Sequence, residues 1–108
     1  MDDALKDAIK RALKPGSLYW SGFDETDPDR WSEVEIRINV PPEIIDSVAT
    51  TGSWIVSRRD YDLGAIFMRR RQSLAKTEVR TLIIEALTMA YQHSGQFGSW
   101  IVVQDGPE

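Results

Sequence analysis

Trp31-Ser32-Glu33-Val34-Glu35-Ile36-Arg37-Ile38-Asn39-Val40 alternates without a break, with Val34, Ile36, Ile38 and Val40 on one face and Glu33, Glu35, Arg37 and Asn39 on the other. Successive side chains of a strand point to opposite sides, so this period of two predicts a strand with one face in a core and one in solvent. Pro41-Pro42 then stops the ladder. Pro42-Glu43 suits the first turn of a short helix that carries Ile44, Ile45 and Val48 inward, with Gly52 closing it.

Downstream, residues 53–58 and 63–70 are two apolar, β-prone runs separated by Arg59-Asp60-Tyr61-Asp62, a connector of hairpin length. Ala75, Val79, Leu82, Ile83, Ala86, Leu87 and Ala90 trace a helical stripe ending near Gly95, and residues 100–103 supply a last strand with apolar side chains on both faces. Upstream, Leu5, Ala8, Ile9, Ala12 and Leu13 mark an amphipathic helix in residues 1–14, ended by Pro15-Gly16. Residues 15–30 form an aromatic and acidic connector before a core at 31–104. The order resembles the ferredoxin-like βαββαβ sandwich, an α+β fold with an antiparallel four-stranded sheet and two helices on one face, here preceded by an extra N-terminal helix. In that topology the strands at 53–58 and 100–103 are the sheet edges. Gly52-Ser53-Trp54-Ile55-Val56 recurs as Gly98-Ser99-Trp100-Ile101-Val102, where a pseudo-twofold of that fold relates the two edges, although so short a match also arises by chance. For the second face of the sheet, coverage by the N-terminal helix and connector is the first expectation, ahead of a second copy or another protein.

At 108 residues there is room for one domain with a real core. The absence of cysteine removes disulfides and thiolate sites and fits a cytoplasmic location. Residues 1–14 lack the apolar stretch of a signal peptide, and no run approaches the ~20 residues of a membrane span.

No catalytic constellation or cofactor motif emerges. His93 is the only histidine and stands at an expected helix end, where solvation beside the helix dipole is its ordinary role. The acids Asp24-Glu25-Thr26-Asp27-Pro28-Asp29 fail as an EF-hand because Thr26 and Pro28 occupy ligand positions and the turn glycine is missing, so no metal is expected. Gly95-Gln96-Phe97-Gly98 joins a helix to a strand and does not form a nucleic-acid clamp. The third strand lacks the basic start and paired aromatics of an RNA-recognition motif, which disfavours nucleic acid. Arg69, Arg70 and Arg71 remain a basic run with nucleic-acid contact as its functional reading.

The net charge of −4 is unevenly spread. Asp24, Glu25, Asp27, Asp29, Glu33 and Glu35 face Arg30 alone, whereas the segment 58–80 is basic. The expected function is therefore a small acidic protein-binding module, of the inhibitor or immunity type, that neutralises a basic partner. Its contact set is Tyr19, Trp20, Phe23, Asp24, Glu25, Asp27, Asp29 and Trp31, with the competing reading that the aromatics simply pin the N-terminal helix. A homodimer through the sheet face or an edge, enclosing a ligand pocket or small active site, is the alternative, and a nucleic-acid-binding domain the third.

Overall fold

The computed structural model describes residues 3–20, 31–48 and 53–103. Its elements are α1 (Asp3–Ala12), a 3-10 turn at Leu18–Trp20, β1 (Trp31–Asn39), a 3-10 helix at Pro42–Ser47, β2 (Ile55–Asp60), β3 (Ala65–Ser73), α2 (Lys76–Gln92) and β4 (Gln96–Val102). The strands form one sheet in the order β2-β3-β1-β4, with every neighbouring pair antiparallel. The fold is thus α+β, with helical segments against a four-stranded antiparallel sheet.

β1 behaves as its alternation dictates. Val34, Ile36 and Ile38 are wholly buried and, with Val40, meet Val79, Leu82, Ile83 and Ala86 of α2 in one core. Glu33, Glu35, Arg37 and Asn39 face the other way and are half-buried. α1 packs on α2 and contributes Ala12 to the core, so it lies in the helical layer. The expectation that the N-terminal helix covers the second sheet face is therefore corrected. Its apolar stripe is narrow and is consumed by α2. No other described helical segment crosses to that face, since Ile45 of the 3-10 helix and Tyr19 of the 3-10 turn also join the core on the α2 side.

Three element boundaries differ from the sequence reading. The helix after β1 is a 3-10 helix: Ile44 N–H bonds to the Pro41 carbonyl at 3.0 Å and Val48 N–H to the Ile45 carbonyl at 3.3 Å. Proline supplies no amide hydrogen and the Ile44-Ile45 pair is β-branched, so a tight turn replaces an α-helix, with Ile45 and Val48 still buried. Gly52 lies outside the described residues.

The β2–β3 loop is Tyr61–Gly64, two residues later than expected. Asp60 accepts the Leu63 N–H on its carboxylate at 3.0 Å and the Gly64 N–H on its carbonyl at 3.0 Å, and Gly64 takes φ +69°. The turn forms where glycine permits that backbone, and Leu63 is left exposed in the loop. β4 starts four residues early because Phe97 enters the core, while Gly98 is the extra residue between the pairs Arg37–Ser99 and Ile38–Phe97.

α2 ends in a Schellman motif. Gly95 N–H bonds to the Ala90 carbonyl at 2.8 Å and Ser94 N–H to the Tyr91 carbonyl at 3.3 Å, with Ser94 itself at φ +55°. Glycine normally takes that left-handed position, so Ser94→Gly is expected to raise stability by about 0.5–1 kcal/mol, read as a higher denaturant midpoint at unchanged slope.

Candidate functional site

The face of the sheet opposite α2 carries the alternate residues of all four strands. Pairing sets their order: Ile55 on β2 lies beside Arg69 on β3, Arg69 beside Glu35 on β1, and Glu35 beside Ile101 on β4. Ile55 and Ile101 are 71% and 54% exposed, and Trp31 at the start of β1 is 57% exposed. Three of the exposed large apolar side chains among the described residues thus share this one face.

Between the two isoleucines the polar groups satisfy one another. Arg69 donates from Nε to Glu35 Oε2 at 2.7 Å and lies 3.7 Å from Glu33. Ser57 donates to the same Glu35 oxygen at 3.2 Å, and Arg37 donates to Asn39 Oδ1 at 2.9 Å. The hydrogen bond to Glu35 and the nearby carboxylates hold the Arg69 guanidinium above its ordinary pKa, so the group is permanently charged. Phe67 lies in the adjacent row, with the guanidinium of Arg58 4.3 Å and that of Arg37 5.8 Å from its ring centre. Glu35, Ser57, Arg58, Phe67 and Arg69 line a hollow of about 330 Å³.

The five-residue echo acquires a geometric meaning here. The β1–β3 ladder is centred on the Glu35–Arg69 pair, and the two isoleucines flank that centre at equivalent places. Trp54 and Trp100 both turn toward the helical layer, and Val56 and Val102 sit beside Met68 and Val34, each one residue before a member of the central pair. The Trp-Ile-Val portion of each copy thus occupies positions related by a pseudo-twofold axis through the sheet.

Of the expected partner-contact residues, Tyr19, Trp20 and Trp31 are described, and they fall in two places. Tyr19 stacks on Phe97 with ring centres 4.5 Å apart, donates its hydroxyl to the Phe97 carbonyl at 3.0 Å, and accepts the Trp100 indole N–H on its own carbonyl at 2.6 Å. Trp20 also packs against the core. Tyr19 thus pins the 3-10 turn at Leu18–Trp20 to β4, whereas Trp31 stands on the open face. Phe23, Asp24, Glu25, Asp27 and Asp29 lie outside the described residues. The run Arg69-Arg70-Arg71 is divided by the strand period: Arg69 and Arg71 take the open face, and Arg70 turns to the helical layer, where it binds Glu85. Phe67 was missed as a site residue because the run 63–70 shows no alternation of its own. The arginines that follow give no parity signal either, since Arg69, Arg70 and Arg71 are consecutive and alternate between the two faces.

Burial raises the Tyr19 phenol above its ordinary value of about 10. The folded state therefore binds this proton more tightly than the unfolded chain. Its contribution is complete below about pH 10 and is lost as pH rises through the raised folded value. Tyr19→Phe is expected to lose about 1 kcal/mol at neutral pH and to flatten the fall in stability above pH 10, which urea titrations at pH 8 to 11 measure. Tyr61, raised by its hydrogen bond to Asp46, is the same in both proteins and cancels from the comparison.

Comparison with protein-family models, curated proteins and solved structures returns no match. The site must be read from its own chemistry. Among the described residues no group of three or more His, Cys, Asp or Glu side chains is placed to hold a metal ion, and no helix is long and apolar enough to cross a membrane. A second hollow of about 600 Å³ runs between α1 and α2 over Ile9, Leu13 and Ile84, under Lys6, Lys10 and Lys14.

Proposed function

We propose that this protein is a small binding module that presents the open face of its sheet to another polypeptide. The observation that carries the reading is the row Ile55, Arg69, Glu35, Ile101: exposed aliphatic side chains at both ends of an internally paired polar centre. Polar groups that already satisfy one another are desolvated at less cost than lone charges, and the isoleucines supply the apolar area. The arrangement is best described as ferredoxin-like, a reading supported by the strand order, with the 3-10 helix at Pro42–Ser47 standing where the first crossover helix belongs. The acidic run Asp24–Asp29 is a separate charged segment that would draw a basic partner, as an inhibitor or immunity-type protein does.

Affinity capture of the tagged protein from nuclease-treated native lysate tests the reading. Ile101→Lys, at an exposed position, is expected to leave the melting temperature within about 2 °C of the parent and to reduce capture at least tenfold. Undiminished capture by that variant removes the open face from the interaction.

Phe67 beneath two arginines favours one second reading, a single-stranded nucleic acid stacked and neutralised on the same face. That reading requires binding of a mixed oligonucleotide at low salt that collapses at moderate salt and with Phe67→Ala.

A further inference from the structure

From the pattern of charge on the open face we infer that its partner is a second copy of this chain, docked sheet to sheet about a twofold axis parallel to the strands. The inference rests on the open-face reading above and names the partner of that surface. Across the sheet the face is divided by the β1–β3 line: Glu33 and Glu35 lie on β1, and Arg69 and Arg71 lie opposite them on β3. A twofold parallel to the strands, above that line, lays β3 of one protomer over β1 of the other. Arg69 then faces Glu35, Arg71 faces Glu33, and Phe67 faces Arg37, while Ile55 at one edge meets Ile101 at the other. Every one of these juxtapositions is attractive, and each occurs twice because a twofold interface is isologous.

The competing arrangements are poorer. A twofold in the same plane but perpendicular to the strands stacks Arg69 on Arg69 and Glu35 on Glu35. Edge-to-edge pairing is opposed by the irregularities at Ser57 in β2 and Gly98 in β4, which twist both edges, and by Arg58 and Arg59 on β2. Four strands about 4.8 Å apart and about 25 Å long give a footprint of about 500 Å² per protomer. The total of about 1,000 Å² is at the low end for a specific interface. The dimer is accordingly expected to be a reversible one, and the match is best in the central row because sheet twist carries the outer rows apart.

Sedimentation equilibrium over a wide concentration range tests the proposal through charge reversal. Arg69→Glu sets a new carboxylate against the partner's Glu35, and Glu35→Arg sets a new guanidinium against the partner's Arg69, so each variant alone is expected to be monomeric. Mixed in equal amounts they are expected to form a 1:1 heterodimer. The introduced carboxylate of one variant then meets the introduced guanidinium of the other, and the unchanged Glu35 of the first meets the unchanged Arg69 of the second. Both variants also break the cross-strand pair within one protomer, so circular dichroism melting accompanies them. Ile101→Lys, which leaves that pair intact, is expected to weaken the wild-type dimer at least tenfold. A wild type that stays monomeric at its highest soluble concentration overturns the inference, and capture of a different protein that Ile101→Lys abolishes then leaves the open-face reading standing. A dimer that survives all three substitutions also overturns it, since another surface must hold that dimer.

Discussion

Alanine at Gly64 or at Gly95 is expected to lower stability by about 3 kcal/mol each, a fall in melting temperature of about 15 °C by calorimetry. The two glycines close on the same point, the carboxyl end of β1, from opposite neighbours. A methyl at Gly64 would lie 2.7 Å from the Val40 carbonyl oxygen and 3.4 Å from the Pro42 ring. Gly64 also takes φ +69°, which adds about 1 kcal/mol or more for any residue with a Cβ. At Gly95 the added carbon would meet the Asn39 carbonyl oxygen and come within 2.7 Å of Val40 Cγ1. Neither obstacle is the far end of a flexible chain. Relief requires moving β1, and with it Ile36 and Ile38 in the core. Gly95→Ala losing less than about 1 kcal/mol would show that the α2–β4 junction yields without disturbing β1.

Arg70→Ala is expected to cost about 2–3 kcal/mol. Arg70 binds Glu85 of α2 through two parallel hydrogen bonds of 2.8 and 3.0 Å, and its guanidinium lies 4.1 Å from the centre of the buried Trp54 ring. The side chain is 12% exposed, so water replaces few of these contacts once it is removed. Glu85 then loses its cation and Trp54 loses its cover. Arg70→Lys should recover less than half the loss, because an ammonium makes neither the paired hydrogen bonds nor the planar contact. Urea unfolding of the two variants beside Glu85→Gln measures this, and equal stability of the lysine variant and the parent would reduce the pair to a simple charge contact.

Much of the chain's behaviour is written in the period of its apolar residues. Local sequence determined β1, α1 and α2 and the inward face of each, because a half-buried strand and an amphipathic helix repeat their apolar residues every two or every three to four positions whatever they pack against. It also marked the two tryptophan-bearing segments as related. Where the pattern was uniform, as in residues 63–70 and 100–103, it carried no information about direction. A strand with apolar residues on both sides reads the same in either register.

Tertiary structure decided the rest. It shifted the hairpin by two residues, because only Gly64 accepts the backbone the turn requires. It divided Arg69, Arg70 and Arg71 between two faces and gave them different partners, Glu35 on one side and Glu85 on the other. It turned Tyr19 inward onto Phe97 and placed the row Ile55, Arg69, Glu35, Ile101 on the open face. Those four residues come from four strands and are up to 66 positions apart in the chain, counting from Glu35 to Ile101. Their proximity exists only once the registers between strands are set, and registers are fixed by packing over the whole sheet, which no local stretch of sequence contains.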